Sequence, residues 1–80
     1  MSIEFKEGEV TFRGVASVED AEPLLDWLQK NPAAAVQLES CSHLHTANLQ
    51  VLMAAHPRIA SWPESPDLRA WLETALKPEL

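Results

Sequence analysis

The chain has 80 residues, 46% of them hydrophobic, with a single cysteine and 12 acidic against 6 basic side chains, for a net charge of −6. That length supports one small domain with a modest core, no internal disulfide, and no apolar run long enough to span a bilayer. The acidic balance argues against nucleic acid as a partner, because phosphate binding needs a cationic face.

Ile3-Glu4-Phe5 and Val10-Thr11-Phe12 are short alternating runs around Lys6-Glu7-Gly8-Glu9, the pattern of a β-hairpin with Gly8 in its turn. Gly14 is expected to break the second strand. Val18, Ala21, Leu24, Leu25 and Leu28 then recur at helical spacing. Taking Asp20 as the N-cap leaves Pro23 in the first turn, where its missing N–H costs little. Ser17 to Glu19 then form a lead-in, and Asn31-Pro32 ends the helix. Ala33 to Leu38 is apolar except for Gln37, which suggests a central strand covered on both faces.

A polar loop, Ser40-Cys41-Ser42-His43, is expected next. A second helix follows from Thr46 to Ala55, burying Leu49, Leu52 and Met53 and stopped by Pro57. Arg58 to Trp62 reads as a short strand, kept short or at an edge by Pro63. Ser65 as N-cap, Pro66 at the first helical position and Asp67 after it start a third helix. Its apolar face is Leu68, Trp71, Leu72 and Ala75, and Lys77-Pro78 closes it. The order ββαβαβα implies parallel pairing through strand–helix–strand units. The predicted fold is α/β, a small four-stranded mixed sheet packed with three helices, in one domain over 1–80.

The chemically capable side chains cluster between the third strand and the second helix. Thr46 is placed where the helix begins, beside unpaired backbone N–H groups, so its hydroxyl can cap the helix or carry an anion. An imidazolium at neighbouring His45 would oppose the helix dipole. Cys41, His43 and His45 alternate, and alternating residues on an extended segment share a face. They have neither the Cys-x-x-Cys nor the His-x-x-x-His spacing of a metal site, and nothing marks a substrate pocket for a Cys–His nucleophile. No Gly-rich phosphate loop is present. The expectation is therefore no metal, no cofactor and no catalysis. Of the tryptophans, Trp71 is expected in the core, and Trp27 and Trp62 over its edges.

Val36-Gln37-Leu38 followed by Leu44-His45-Thr46-Ala47-Asn48-Leu49-Gln50-Val51-Leu52 resembles the core signature of the STAS domain. In that family a hydrophobic strand leads to an acid, a Ser or Thr, a small residue and a glycine at the head of a Leu/Ala-rich helix. Ser65-Pro66-Asp67-Leu68-Arg69 resembles the Ser-Pro start of the family's third helix. His45 stands here for the family's acid and Asn48 for its glycine. The resemblance implies a non-enzymatic module that binds a protein partner, as bacterial anti-sigma-factor antagonists do. Thr46 then matches the phosphoacceptor, and an anti-sigma factor or kinase is the partner. Ser42, His43, His45, Thr46, Ala47, Asn48 and Gln50 form the implied contact surface.

A second implied role is that of a cytoplasmic accessory subunit bound to the ATPase of an ABC lipid transporter. Seven acids lie in the first third of the sequence (Glu4, Glu7, Glu9, Glu19, Asp20, Glu22 and Asp26). They confer solubility, or an acidic face for a basic partner. The stretch MSIEFKEGE lacks the apolar core of a secretion signal, so a cytoplasmic location without membrane insertion is expected. An open sheet edge would also allow a homodimer.

Overall fold

A computed structural model describes residues 2–76. The elements are β1 (Ile3–Lys6), β2 (Glu9–Ala16), a 3₁₀ turn (Val18–Asp20), α1 (Ala21–Lys30), β3 (Ala35–Leu44), α2 (Thr46–Ala55), β4 (Arg58–Ser61) and α3 (Pro66–Ala75). The four strands form one mixed sheet in the order β1-β2-β3-β4. β1 pairs antiparallel with β2, and β2–β3 and β3–β4 are parallel. This is the expected α/β architecture. The expected closure of α3 at Lys77-Pro78 lies outside the described residues.

The hairpin turns at Glu7-Gly8, where Gly8 takes φ +80°, a conformation that costs a residue without Cβ little. β2 does not stop at Gly14. It runs on to Ala16 because Gly14, at φ +66°, absorbs an irregularity within the strand. Inward-facing Ile3, Val10, Phe12, Val36 and Leu38 join Leu24, Leu28, Leu49, Val51, Leu52 and Leu72 of the helices in one buried cluster. Glu4, Lys6, Thr11, Arg13, Gln37 and Arg58 alternate with these strand residues, and none of them is buried. The helices therefore cover one face of the sheet, and β3 is not enclosed on both faces as its apolar run suggests. Each fully buried large side chain contributes about 1.5–3 kcal/mol of transfer free energy.

The buried stripe of two helices is rotated from the expected one. In α2 it follows Asn48, Val51, Leu52 and partly Ala55, the i, i+3, i+4, i+7 pattern, with Leu49 at its margin and Met53 left 44% exposed. α2 touches both α1 and α3, so its covered arc is wide. In α3, Leu72 is buried, Leu68 and Ala75 are half-buried, and Trp71 is 40% exposed instead of sitting in the core. Val18 is also exposed, because the 3₁₀ turn puts it out of phase with α1. Trp27 packs over the core edge with its ring 5.3 Å from that of Phe5, and Trp62 lies partly buried against the same core.

Candidate functional site

The site is built by β3, which is ten residues long where a strand ending at Leu38 is expected. Its register against β2 slips twice. Thr11 and Arg13 face Gln37 and Ser40, and Gly14 and Val15 face Cys41 and His43, so β3 holds one extra residue at each step. Each bulge turns the following side chains, and the buried residues in this half of the strand are Leu38, Cys41 and Leu44, three apart rather than two. The segment expected as a polar loop is thus an irregular strand. Its inward positions are spaced by bulges.

The same bulges separate the Cys/His group. Cys41 is buried and its thiol donates to the His43 carbonyl at 3.4 Å, while the side chains of His43 and His45 are exposed. The three therefore do not share a face. Among the described residues no three His, Cys, Asp or Glu side chains are placed to hold one metal ion. Burial pushes the Cys41 thiol above its ordinary range, the hydrogen bond to His43 offsetting part of the rise. That suits a packed thiol rather than a nucleophile.

At the end of β3 the backbone N–H of His45 donates to the Ala16 carbonyl at 2.9 Å, and the helix starts at the next residue. The cap is His45, not Thr46. The Ala47 N–H donates to His45 Nδ1 at 2.9 Å, and the Asn48 N–H donates to the His45 carbonyl at the same distance. Relieved of capping, Thr46 is the first helical residue and is exposed. Gln50 is exposed one turn further on, and Ala47 is half-buried.

Asn48 departs from the implied contact surface. It is fully buried, and its Nδ2 donates to the Ser17 carbonyl at 2.7 Å, while Oδ1 has no hydrogen-bond partner among the described residues. Asn48 falls on the inward stripe of α2, which points it at the β2–α1 connection rather than at solvent. That connection is itself closed by Asp20. Its buried carboxylate accepts from Ser2 Oγ at 2.8 Å and from the Ser17 N–H at 2.9 Å. Asp20 is therefore not part of an acidic surface.

Of the implied contact residues, His43, His45 and Thr46 meet two residues expected in the core, whereas Ser42, Ala47 and Gln50 do not line the same depression. His43, Leu44, His45 and Thr46 line a shallow open depression of about 430 Å³ together with Leu68 and Trp71 of α3. The sequence did carry a signal for Trp71. Leu68, Leu72 and Ala75 alone make a complete i, i+4, i+7 stripe, which leaves Trp71 on its flank. The depression offers an exposed indole and aliphatic carbon beside two imidazoles and a hydroxyl. It suits an apolar contact bordered by hydrogen-bonding groups. No protein-family model matches the chain, and no curated protein matches it either. Among the described residues no helix is long and apolar enough to cross a membrane.

Proposed function

We propose that this chain is a STAS-like regulatory module that binds a protein partner through the depression beside the head of α2, and that phosphorylation of Thr46 releases that partner. The observation that carries this reading is the exposure of Thr46 in the same depression as the half-uncovered Trp71. Large aromatic side chains left part-exposed in a concave, mostly apolar patch are the usual anchors of protein interfaces. A phosphoryl group on the first residue of α2 gains from the helix N-terminus, so the domain itself tolerates a charge near −2. A partner seated on Leu68 and Trp71 would have to desolvate that charge. The modification therefore weakens docking without unfolding the module.

The test is intact-mass measurement after incubation with ATP and a lysate of the source cell, together with partner recovery. The expected result is a gain of one phosphate that Thr46→Ala abolishes, with a recovered partner lost on Thr46→Glu and on Trp71→Ala. Phosphate at another residue, or partner recovery unaffected by both of the latter substitutions, overturns the proposal. Constitutive recovery of an ABC ATPase by unphosphorylated protein points instead to the accessory-subunit role.

A further inference from the structure

We infer that the free edge of β1 is a self-association surface, on which a second copy of this chain pairs antiparallel about a two-fold axis at Phe5. β1 is an end strand of the sheet, so among the described residues one side of its backbone has no strand neighbour. Which residues face outward follows from the hairpin. The Arg13 N–H donates to the Ser2 carbonyl at 2.6 Å, and Ser2 precedes a register that pairs Ile3 with Phe12 and Glu4 with Thr11. Hydrogen-bonded and non-hydrogen-bonded pairs alternate along an antiparallel ladder. Ser2, Glu4 and Lys6 thus direct their N–H and C=O groups at β2, while Ile3 and Phe5 direct theirs outward.

A two-fold self-pairing must match outward backbone with outward backbone, so its axis can fall only opposite particular residues. With the axis at Phe5, the two Phe5 residues exchange both backbone hydrogen bonds. In the same register Glu4 lies opposite Lys6 of the second copy, and Lys6 lies opposite its Glu4. Opposite charges directly across a ladder are favourable, and like charges there are unfavourable. An axis at Glu4 or Lys6 would instead oppose like charges. On the other face, Phe5 stacks with Trp27 of α1 at the margin of the core, both half-buried, so joining two copies would continue the helix-covered face across the axis.

The opposite edge lacks this complementarity. β4 carries Arg58 as its one charged residue, and Pro57 and Pro63 flank it without N–H donors. Charged residues on an edge ordinarily protect it from indiscriminate pairing. On β1 the alternation of Glu4 and Lys6 keeps that protection against other strands and cancels it for an identical one.

The experiment is sedimentation velocity on the full chain over a concentration series reaching about 1 mM, since a four-residue edge buries less than the roughly 1,200 Å² of a stable interface. The expected result is a reversible dimer whose dissociation constant rises about tenfold on Lys6→Glu, which turns two attractive cross-pairs into repulsive ones. Glu4→Lys has the same effect by the mirrored change. Mixing the two single variants restores dimer as a heterodimer, and the double variant Glu4→Lys/Lys6→Glu restores it as a homodimer. Far-UV circular dichroism shows that each variant stays folded. A monomer at every concentration overturns the inference. So does a dimer indifferent to Lys6→Glu, or single variants that fail to associate when mixed. Because the axis lies on β1 and the depression is bounded by β3, α2 and α3, Thr46→Glu leaves this equilibrium unchanged.

Discussion

β2 and β3 end side by side, with Ala16 paired to Leu44, and each strand launches a helix. After β2 the chain makes a 3₁₀ turn, and a buried carboxylate, Asp20, gathers the loose donors of Ser2 and Ser17. After β3 the helix starts at once, capped by an exposed imidazole and headed by an exposed threonine. The backbone topology is the same, and the polar groups differ. One junction is sealed and the other is presented to solvent. A buried side chain joins them, since Asn48 Nδ2 donates to the Ser17 carbonyl. The presented junction is therefore held by the sealed one.

The largest expected effect comes from breaking that tie. Asn48→Asp removes the amide donor to the Ser17 carbonyl, which also accepts from the Asp20 N–H at 3.1 Å, and places a carboxylate at a site with no solvent exposure. A buried, unpaired charge costs about 3 kcal/mol or more, a large share of what a domain of this size has in total. The variant is expected to be mostly unfolded by far-UV circular dichroism at neutral pH. Asn48→Ala loses the hydrogen bond and also removes the unpartnered Oδ1, so it is expected to stay folded with a loss of about 1–2 kcal/mol in urea titration. A well-folded Asn48→Asp protein would show that the two junctions are independent.

The polar groups of the two junctions rank next; Asp20, expected as the N-cap of α1, has helical backbone and makes no side-chain cap bond to it. Asp20→Ala strips a buried junction of its acceptor and is expected to cost about 2 kcal/mol, since Ser2 and Ser17 donors lose their partner together. His45→Ala removes one exposed capping bond and is expected to cost about 0.5–1 kcal/mol. His45→Asp replaces an imidazole by a better cap that also matches the helix dipole, and is expected to raise the urea midpoint slightly. If His45→Ala proved the costlier of the two alanine variants, the assignment of sealed and presented junctions would be reversed.

This contrast also marks how far the sequence could be read. The hairpin and α2 follow from periodicity, and α3 starts as expected, with Ser65 accepting from the Leu68 N–H and Pro66 at the first helical position. These signals are local, and local chemistry decides them. The second half of β3 was not legible. Two bulges space its inward residues three apart, and Leu38, Cys41 and Leu44 at that spacing match neither a strand nor a helix template. Asn48 was misread for a related reason. A polar residue on a buried stripe looks like surface until the acceptor 31 residues away is known. His45 as cap was missed because Thr46, a commoner capping residue type, stands next to it. For β3 and Asn48 the deciding partner is remote in sequence, whereas for His45 it is the Ala47 N–H two residues away.

The smallest expected effect lies on the solvent face of the sheet, away from the inward-facing network of both junctions. Glu4 accepts from the Arg13 guanidinium, and this hydrogen bond, with the charge behind it, holds the Glu4 carboxyl below its ordinary value of 4.5. A carboxyl whose pKa is lower folded than unfolded stabilises the fold above the unfolded value, and that contribution is lost as pH falls through the folded value. Arg13→Gln is therefore expected to lower the melting temperature slightly at neutral pH, and the gap to the parent protein should close once acid has protonated Glu4 in both states. Thermal melts of the two proteins at neutral pH and well below 4.5 check this. Both side chains are about half exposed, so added salt should narrow the same gap at neutral pH. The loss on Asp20→Ala, carried by short bonds inside the fold, should persist in that salt. A salt-sensitive Asp20→Ala loss would mean that the first junction is open to solvent after all.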